Sequence, residues 1–490
     1  MSRHPRILWT IFLLALSVRM IPVALVADRP WRMIAGDSGD YLRMGENILA
    51  GRGFTIAVEP PYLPNAARTP VYPLFLAGIR AMAGPGLLWI ALAQALCGAL
   101  TAVLVWSLAR MADPRPRVAL VAALLYVFLP VALAYGALVM TETLFTLLIV
   151  GALWLTFRGA GALSSRSRLR WAAAAGLAGG AAVLCRPIAV GLPFLLAAAL
   201  AVAPRVASAH RGSSRPAVRA DLPSSLTCLA AAVLICLPWI ARNHAVTGRP
   251  VVSTIGAYNL LAYGAAPLKA EIEGSRVEAA RESLLAEAIR DSRRGSMERP
   301  ATVTSKAVTG ELPRVASLER VAWDWIRRHP WRYLRLHLVS DLSALLPAPE
   351  ILQVAGMDTA GRGTLDRLRE KGPLEAAKTF FAGRPGAAAV LGIFAAGLLG
   401  LYIAGGLGAF GLLRRAPPAA PPVHEGGWTG GTARRWSVWP LAGMALYLLL
   451  APGPASTPRF RVPVMPVICL LAACGLSGRT QGEPQDRSRS

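Results

Sequence analysis

Long uninterrupted apolar runs constrain the fold of this chain more than any other feature. About ten of them, at 7–27, 87–109, 118–135, 138–157, 171–185, 188–203, 223–241, 387–413, 436–452 and 462–477, approach or exceed the length needed to cross a ~30 Å hydrocarbon layer. Inside that layer no water is present to bond free peptide groups, so each run must satisfy its own backbone as a helix. Of the 490 residues 54% are hydrophobic and 16% charged, whereas a soluble domain carries about 25% charged residues. A soluble enzyme, a fibrous protein and a disordered chain are excluded. The expectation is an all-α polytopic membrane protein with roughly 9–13 spanning helices.

Charge gives the expected orientation. The sequence holds 52 Lys and Arg against 27 Asp and Glu, a formal charge of +25, and only Lys269, Lys306, Lys371 and Lys378 are lysines. Such a surplus suits nucleic acid, but much of it lies in short loops between apolar runs, where basic residues fix topology. Nucleic acid is therefore set aside as a partner. The arginines gather at Arg3 and Arg6, at Arg110–Arg117, Arg158–Arg170 and Arg205–Arg219, at Arg414, Arg415, Arg434 and Arg435, and at Arg479–Arg489. Few occupy the short loops opposite, so both termini are expected in the cytoplasm. The first run has no clear small-residue cleavage motif and reads as a retained span.

This topology predicts an N-terminal membrane module over 1–241 with an outer loop at 28–86. An outer helical region (242–386), C-terminal membrane helices (387–477) and a disordered cytoplasmic tail (478–490) follow. Within the outer region, Val277, Ala280, Leu284 and Ala288 recur at helical spacing in a helix predicted over Glu271–Arg294. Leu318–Leu346 carries Trp323, Trp325 and Trp331 and is divided by Pro330. Its composition fits helices lying at the membrane interface, and equally a small outer domain packed on itself. No internal repeat is visible, which counts against an inverted-repeat transporter.

Charged groups in or beside spans are costly, so each is a candidate for function. Topology collects Glu142, Arg19, Arg186, Arg459 and Arg461 at one level near the outer leaflet. Singly, an arginine there can snorkel to headgroups; as a set they predict a polar cavity open to the outer face. In the first outer loop, Asp37 precedes a short helix with Tyr41, Gly45, Ile48 and Leu49 on one face, ended by Gly51. Asp37 fits an N-cap and equally a fixed carboxylate serving as general base. The six cysteines lie in apolar runs, with no CxxC pair or disulfide framework, and there is no HExxH metal motif.

Six short motifs in order resemble the GT-C membrane glycosyltransferases of the protein-mannosyltransferase and aminoarabinose-transferase type (glycosyltransferase family 39-like). They begin with Asp37 to Tyr41 and the run Leu49-Ala50-Gly51-Arg52-Gly53-Phe54, then Arg68-Thr69-Pro70-Val71-Tyr72-Pro73. Thr141-Glu142-Thr143-Leu144-Phe145, Leu184-Cys185-Arg186-Pro187, Pro238-Trp239-Ile240-Ala241-Arg242-Asn243 with Asn259-Leu260-Leu261, and Phe460-Arg461-Val462-Pro463 with Pro466 complete the set. One departure stands out: the acidic pair of many relatives is Asp37-Ser38 here, unless Asp40 substitutes.

The resemblance implies a GT-C-like helical bundle with interfacial helices in the first outer loop. It implies transfer of a hexosyl or pentosyl group from a polyprenyl-phosphate donor to a glycan, lipid or protein acceptor at the outer face, with inversion. It assigns Asp37 as base, with Asp40, Tyr41, Arg68, Glu142, Arg186, Arg242, Arg459 and Arg461 binding substrate. No cofactor is certain; metal use varies across the superfamily, which leaves a divalent metal open. A bacterial inner membrane is the implied location. The alternatives are a transporter or flippase for a lipid-linked or anionic substrate, and a lipid-linked glycan polymerase or ligase.

Overall fold

The computed structural model describes residues 5–113, 115–203, 221–294, 314–357, 385–414 and 430–477. The arginine runs at 205–219 and 479–489, Arg3, Arg415 and the tail at 478–490 lie outside the described residues. The described secondary structure is helical throughout. In chain order the first half comprises α1 (Pro5–Ala27), α2 (Ser38–Leu49), α3 (Val71–Ala83), α4 (Leu87–Ala112), α5 (Pro116–Val127), α6 (Pro130–Ala137), α7 (Glu142–Ala160), α8 (Ser165–Cys185) and α9 (Leu192–Ala201). Then follow α10 (Leu222–Thr247), α11 (Ile255–Asn259), α12 (Ala266–Glu273), α13 (Val277–Arg294), α14 (Val315–Arg328), α15 (Pro330–Ser343) and α16 (Glu350–Val354). The series closes with α17 (Pro385–Arg414), α18 (Gly430–Leu450) and α19 (Met465–Leu476).

Among the described residues, six helices are long and apolar enough to cross a membrane, and the bent pair α5–α6 makes a seventh. The apolar runs are present, but several are not single rods. The run at 118–135 bends by 48° before Pro130, because proline lacks an N–H and disfavours helix in the residue before it. The run at 138–157 becomes helical only at Glu142. Those at 188–203 and 462–477 begin as the 3₁₀ turns Pro187–Gly191 and Pro458–Val464. The breaks at Glu142, Pro187 and Pro458 fall beside the site described below, whereas the one at Pro130 does not.

Helices α7, α8 and α10 pack side by side, as do α1 and α4. Glycine makes the α8–α10 approach close: a Cβ on Gly176 or Gly180 would meet the Cys228 carbonyl or Ile235. Lipid offers little hydrophobic drive between helices, so such backbone proximity supplies the van der Waals contact that holds them.

The region expected on the outer side has its own core, in which Leu261, Ala265, Val277, Ala280, Leu284, Ala288, Leu318 and Ala322 are buried together. The helix expected over Glu271–Arg294 is two helices, because Gly274 adopts a left-handed φ of 64° and ends α12. Pro330 divides the tryptophan-rich stretch into α14 and α15. Trp325 packs on the outer core. By contrast α15 leaves Trp331, Leu334, Leu338 and Leu342 exposed at helical spacing.

Candidate active site

The first loop is built as a support for its charged residues. Ser38 donates its hydroxyl hydrogen toward the carbonyls of Ala35 and Val139 and accepts from the Ala35 N–H. The Val139 N–H donates to Met33 O at 2.9 Å. These bonds tie the start of α2 to the non-helical segment before Glu142. Gln94, buried in α4, donates to the carbonyls of Gly136 and Leu138 and accepts from the Tyr72 hydroxyl. The carbonyls freed by the interruption between α6 and α7 thereby find partners, as a break at membrane depth requires. Asn65 shapes the other end of the loop, its Oδ1 accepting from the N–H groups of Ala67 and Arg68.

On this frame Asp37 meets two guanidinium groups. Arg68 Nη2 donates to Asp37 Oδ1 at 2.8 Å and to Asp40 Oδ2 at 2.9 Å. Arg459, from the far end of the chain, donates through Nη1 to Asp37 Oδ2 at 3.1 Å. Gly36 has a φ of 49°, a left-handed conformation that glycine adopts without strain. Asp37 occupies the position before α2 but makes no capping bond; its carboxylate serves the arginines instead. Burial alone would raise the Asp37 carboxyl, but Arg459 and then Arg68 outweigh it and hold it well below the usual carboxylate range.

Behind this clamp lies a second pair. Arg186 Nη1 donates to Oε1 of the fully buried Glu142 at 2.5 Å. Pro187 ends α8 and forces Arg186 into extended backbone, and Thr69 caps the end of that helix by donating to Cys185 O. The Phe460 ring is shared, with Arg186 and Arg459 at 5.0 and 5.2 Å from its centroid. Arg68 likewise stacks over Tyr41 at 5.3 Å.

A cavity of about 640 Å³ opens beside the cluster, lined by Asp37, Tyr41, Arg68, Thr141, Arg186 and Arg459. Asn259, Tyr333 and His337, from the region after α10, also line it. Asp40 reaches the cluster through Arg68, and Glu142 through Arg186.

Three expected members of the arginine set lie elsewhere. Arg461 is two residues from Arg459 in a 3₁₀ turn, and three residues per turn put the two side chains about 240° apart. Arg461 therefore bonds the carbonyls of Ala344 and Leu346 on the opposite side. Arg242 is occupied by the first loop, donating to Asn65 O at 2.6 Å and lying over Phe54 and Trp239. Arg19 sits inside α1 against Gly98 and over Tyr126.

Several residues around the site gave no sequence signal. His337 Nε2 lies 3.0 Å from Leu450 O and 3.2 Å from Asp341 Oδ2. Burial pushes the Asp341 carboxyl up to about 6, with His337 opposing. Glu350 is likewise raised by burial and lies within electrostatic reach of Arg459. No pattern distinguishes these residues in a linear scan, because their neighbours in space come from distant parts of the chain. Only Asn65 had a readable cue, as an Asn preceding a loop that enters a helix.

Among the described residues no three His, Cys, Asp or Glu side chains converge as ligands. Asp37 and Asp40 already accept from guanidinium groups.

The bundle and this cluster define a multi-pass membrane protein with a guanidinium-lined cavity where the broken ends of its apolar helices meet. The family model of the dolichyl-phosphate-mannose-protein mannosyltransferases matches residues 67–240. Among solved structures, the chain is similar to the archaeal oligosaccharyltransferase AglB from Archaeoglobus fulgidus, in complex with an inhibitory peptide and a dolichol-phosphate. That likeness has 16% identity and a TM-score of 0.49, and covers 97% of this chain and 51% of that one. It is also similar to ArnT from Cupriavidus metallidurans bound to undecaprenyl phosphate, at 14% identity and a TM-score of 0.40, covering 97% of this chain and 78% of that one. A further structure of the Archaeoglobus fulgidus oligosaccharyltransferase, with Zn and sulfate, has 15% identity, a TM-score of 0.46 and coverage of 95% and 49%. The chain thus spans about half the length of the archaeal proteins. No curated protein sequence matches it.

Proposed function

We propose that this protein transfers a sugar from a polyprenyl-phosphate donor to an acceptor hydroxyl or amine at the outer face of the membrane, with inversion. The observation that carries this reading is the clamp on Asp37, a carboxylate held between Arg68 and Arg459 at the edge of a 640 Å³ cavity. Such a donor keeps its tail in the bilayer and presents its phosphate at the interface, beside guanidinium groups able to fork onto phosphate oxygens.

In the proposed step the acceptor heteroatom attacks the anomeric carbon as the bond from that carbon to the phosphate oxygen breaks. The electron pair of that bond leaves with the lipid phosphate, whose growing charge Arg459 and Arg186 stabilise. The acceptor proton passes to Asp37. A carboxylate clamped by two cations is a weak proton acceptor, so the donor phosphate has a second role. By drawing Arg459 toward itself it loosens the clamp and restores basicity to Asp37 when substrate is present. Tyr41 and Thr141 line the space left for sugar hydroxyls. His337 and Asn259 face the same space from the outer region, where the acceptor would enter.

The test is incubation of the purified protein with a panel of polyprenyl-phosphate sugars, following donor consumption and release of lipid phosphate by mass spectrometry. Turnover of one donor, lost in Asp37→Asn, is the expected result. Retained transfer by that variant removes Asp37 from the base role. Movement of intact donor across a sealed bilayer without cleavage would replace the enzyme reading with a flippase.

A further inference from the structure

The 3₁₀ turn Pro458–Val464 is a wall between two cavities. Arg459 faces the polar one. Arg461 lines another, of about 550 Å³, on the opposite side, and is its only charged lining residue among the described residues. The rest of that lining is apolar: Leu124, Phe128 and Leu129 around the end of α5, and Phe394, Leu398 and Leu401 from α17, among others. Phe128 and Ile393 at its edge are 54% and 69% exposed on surfaces of membrane-spanning helices, so the cavity opens toward lipid.

The arginine at its end is not fully used. Arg461 is wholly buried, its Nη1 bonds the Ala344 and Leu346 carbonyls, and its Nε and Nη2 have no hydrogen-bond partner. Tyr402 beside it donates its hydroxyl to Leu345 O. A charged group at this depth is costly, and unpaired N–H groups add to the cost unless an acceptor arrives. Anionic oxygens are the acceptors that best match a guanidinium fork.

We infer that this cavity binds an anionic glycerophospholipid of the surrounding bilayer, one acyl chain lying between α5 and α17 and the phosphate on Arg461. The two cavities have no lining residue in common. A sugar donor seated here would hold its sugar away from Asp37, so the occupant is a bilayer lipid that is not consumed. The site stands apart from the transfer reaction and is tested without it.

The full-length protein in detergent is titrated with phosphatidylglycerol and with phosphatidylcholine of the same acyl chains, and bound lipid is counted by native mass spectrometry. At equal concentration, phosphatidylglycerol is expected to be retained at least about tenfold more. Arg461→Gln should bring its retention down to that of phosphatidylcholine. Gly397 lines the cavity and a Cβ there meets nothing within 4 Å, so Gly397→Phe should occupy the space and abolish retention without touching the arginine. That second variant keeps the test decisive if Arg461→Gln fails to fold. Equal retention of the two lipids, or unchanged phosphatidylglycerol binding in Gly397→Phe, overturns the proposal. One-for-one displacement by undecaprenyl phosphate overturns the choice of phospholipid, as does displacement by inorganic phosphate alone.

Discussion

The same two residue types build the cluster at Asp37 and the ion pairs of the outer region, with different consequences. In the outer region, Arg320 bonds Asp291 and Arg328 bonds Asp324 with both arginine side chains 64% exposed. In the cavity, Arg186 and Glu142 are 10% and 0% exposed, and Arg68 is 11% exposed where it grips Asp37 and Asp40. Water screens the first kind of pair, so it adds little to stability. The second kind has lost its water, and neither partner can be removed cheaply. Sequence separation varies among the exposed pairs, from four positions for Arg328–Asp324 to 29 for Arg320–Asp291. The cavity pairs join residues 31, 44 and 422 positions apart. Burial, more than charge itself, marks the pairs that the fold was shaped to hold.

Substitutions on the two sides should therefore differ in kind, and the largest effect is expected at Asp37. Asp37→Asn should lower transfer by about 10²- to 10⁴-fold, the usual contribution of a general base, while the variant still inserts and elutes as the parent does. Arg459→Gln should follow, with a loss of about 10²- to 10³-fold concentrated in kcat, as for a donor that stabilises developing charge. A loss confined to KM would instead give Arg459 a purely ground-state binding role.

Arg186→Met leaves Glu142 buried without its cation and should destabilise the protein by about 3–5 kcal/mol. The double variant Arg186→Met/Glu142→Gln should recover part of that loss in thermal unfolding. No recovery would mean that the pair contributes nothing as a pair.

A smaller effect concerns pH. A carboxyl whose folded value is depressed contributes stability that is complete above its unfolded value near 4 and fades only as pH falls below it. The difference in thermal stability between the parent and Asp37→Asn should thus be the same at pH 8 and pH 5. A difference that shrinks between those two values would contradict the clamp. Smallest of all, Arg320→Ala in the outer region should change stability by about 1 kcal/mol or less and leave transfer untouched. A large loss there would erase the contrast between the two regions.

Legibility followed the same divide. The apolar runs, the short helix after Asp37 and its end near Gly51, and the division at Pro330 were readable because each depends on neighbours within a few residues. Topology put Glu142, Arg19, Arg186, Arg459 and Arg461 at one level, and the resemblance added Asp37 and Arg68; of these, Asp37, Arg68, Arg186 and Arg459 line one cavity. Arg461 and Arg19 were grouped with Arg186 and Arg459 because they share that level, and Arg242 was added by the resemblance. Which way a side chain points within a 3₁₀ turn, and which carbonyls already occupy a guanidinium, is settled by packing. His337, Asp341 and Glu350 had no signal at all, being isolated polar residues in a region without motifs.

The sequence alone determined that this chain must live in a bilayer as helices, since runs of apolar residues leave no other way to satisfy a backbone without water. It also determined the division at Pro330, because proline acts locally. Only the tertiary structure decided that Arg459, rather than Arg461, would meet Asp37 across 422 positions. That choice rests on the helical phase of one short turn and on the burial it creates, and neither quantity exists until the chain has folded.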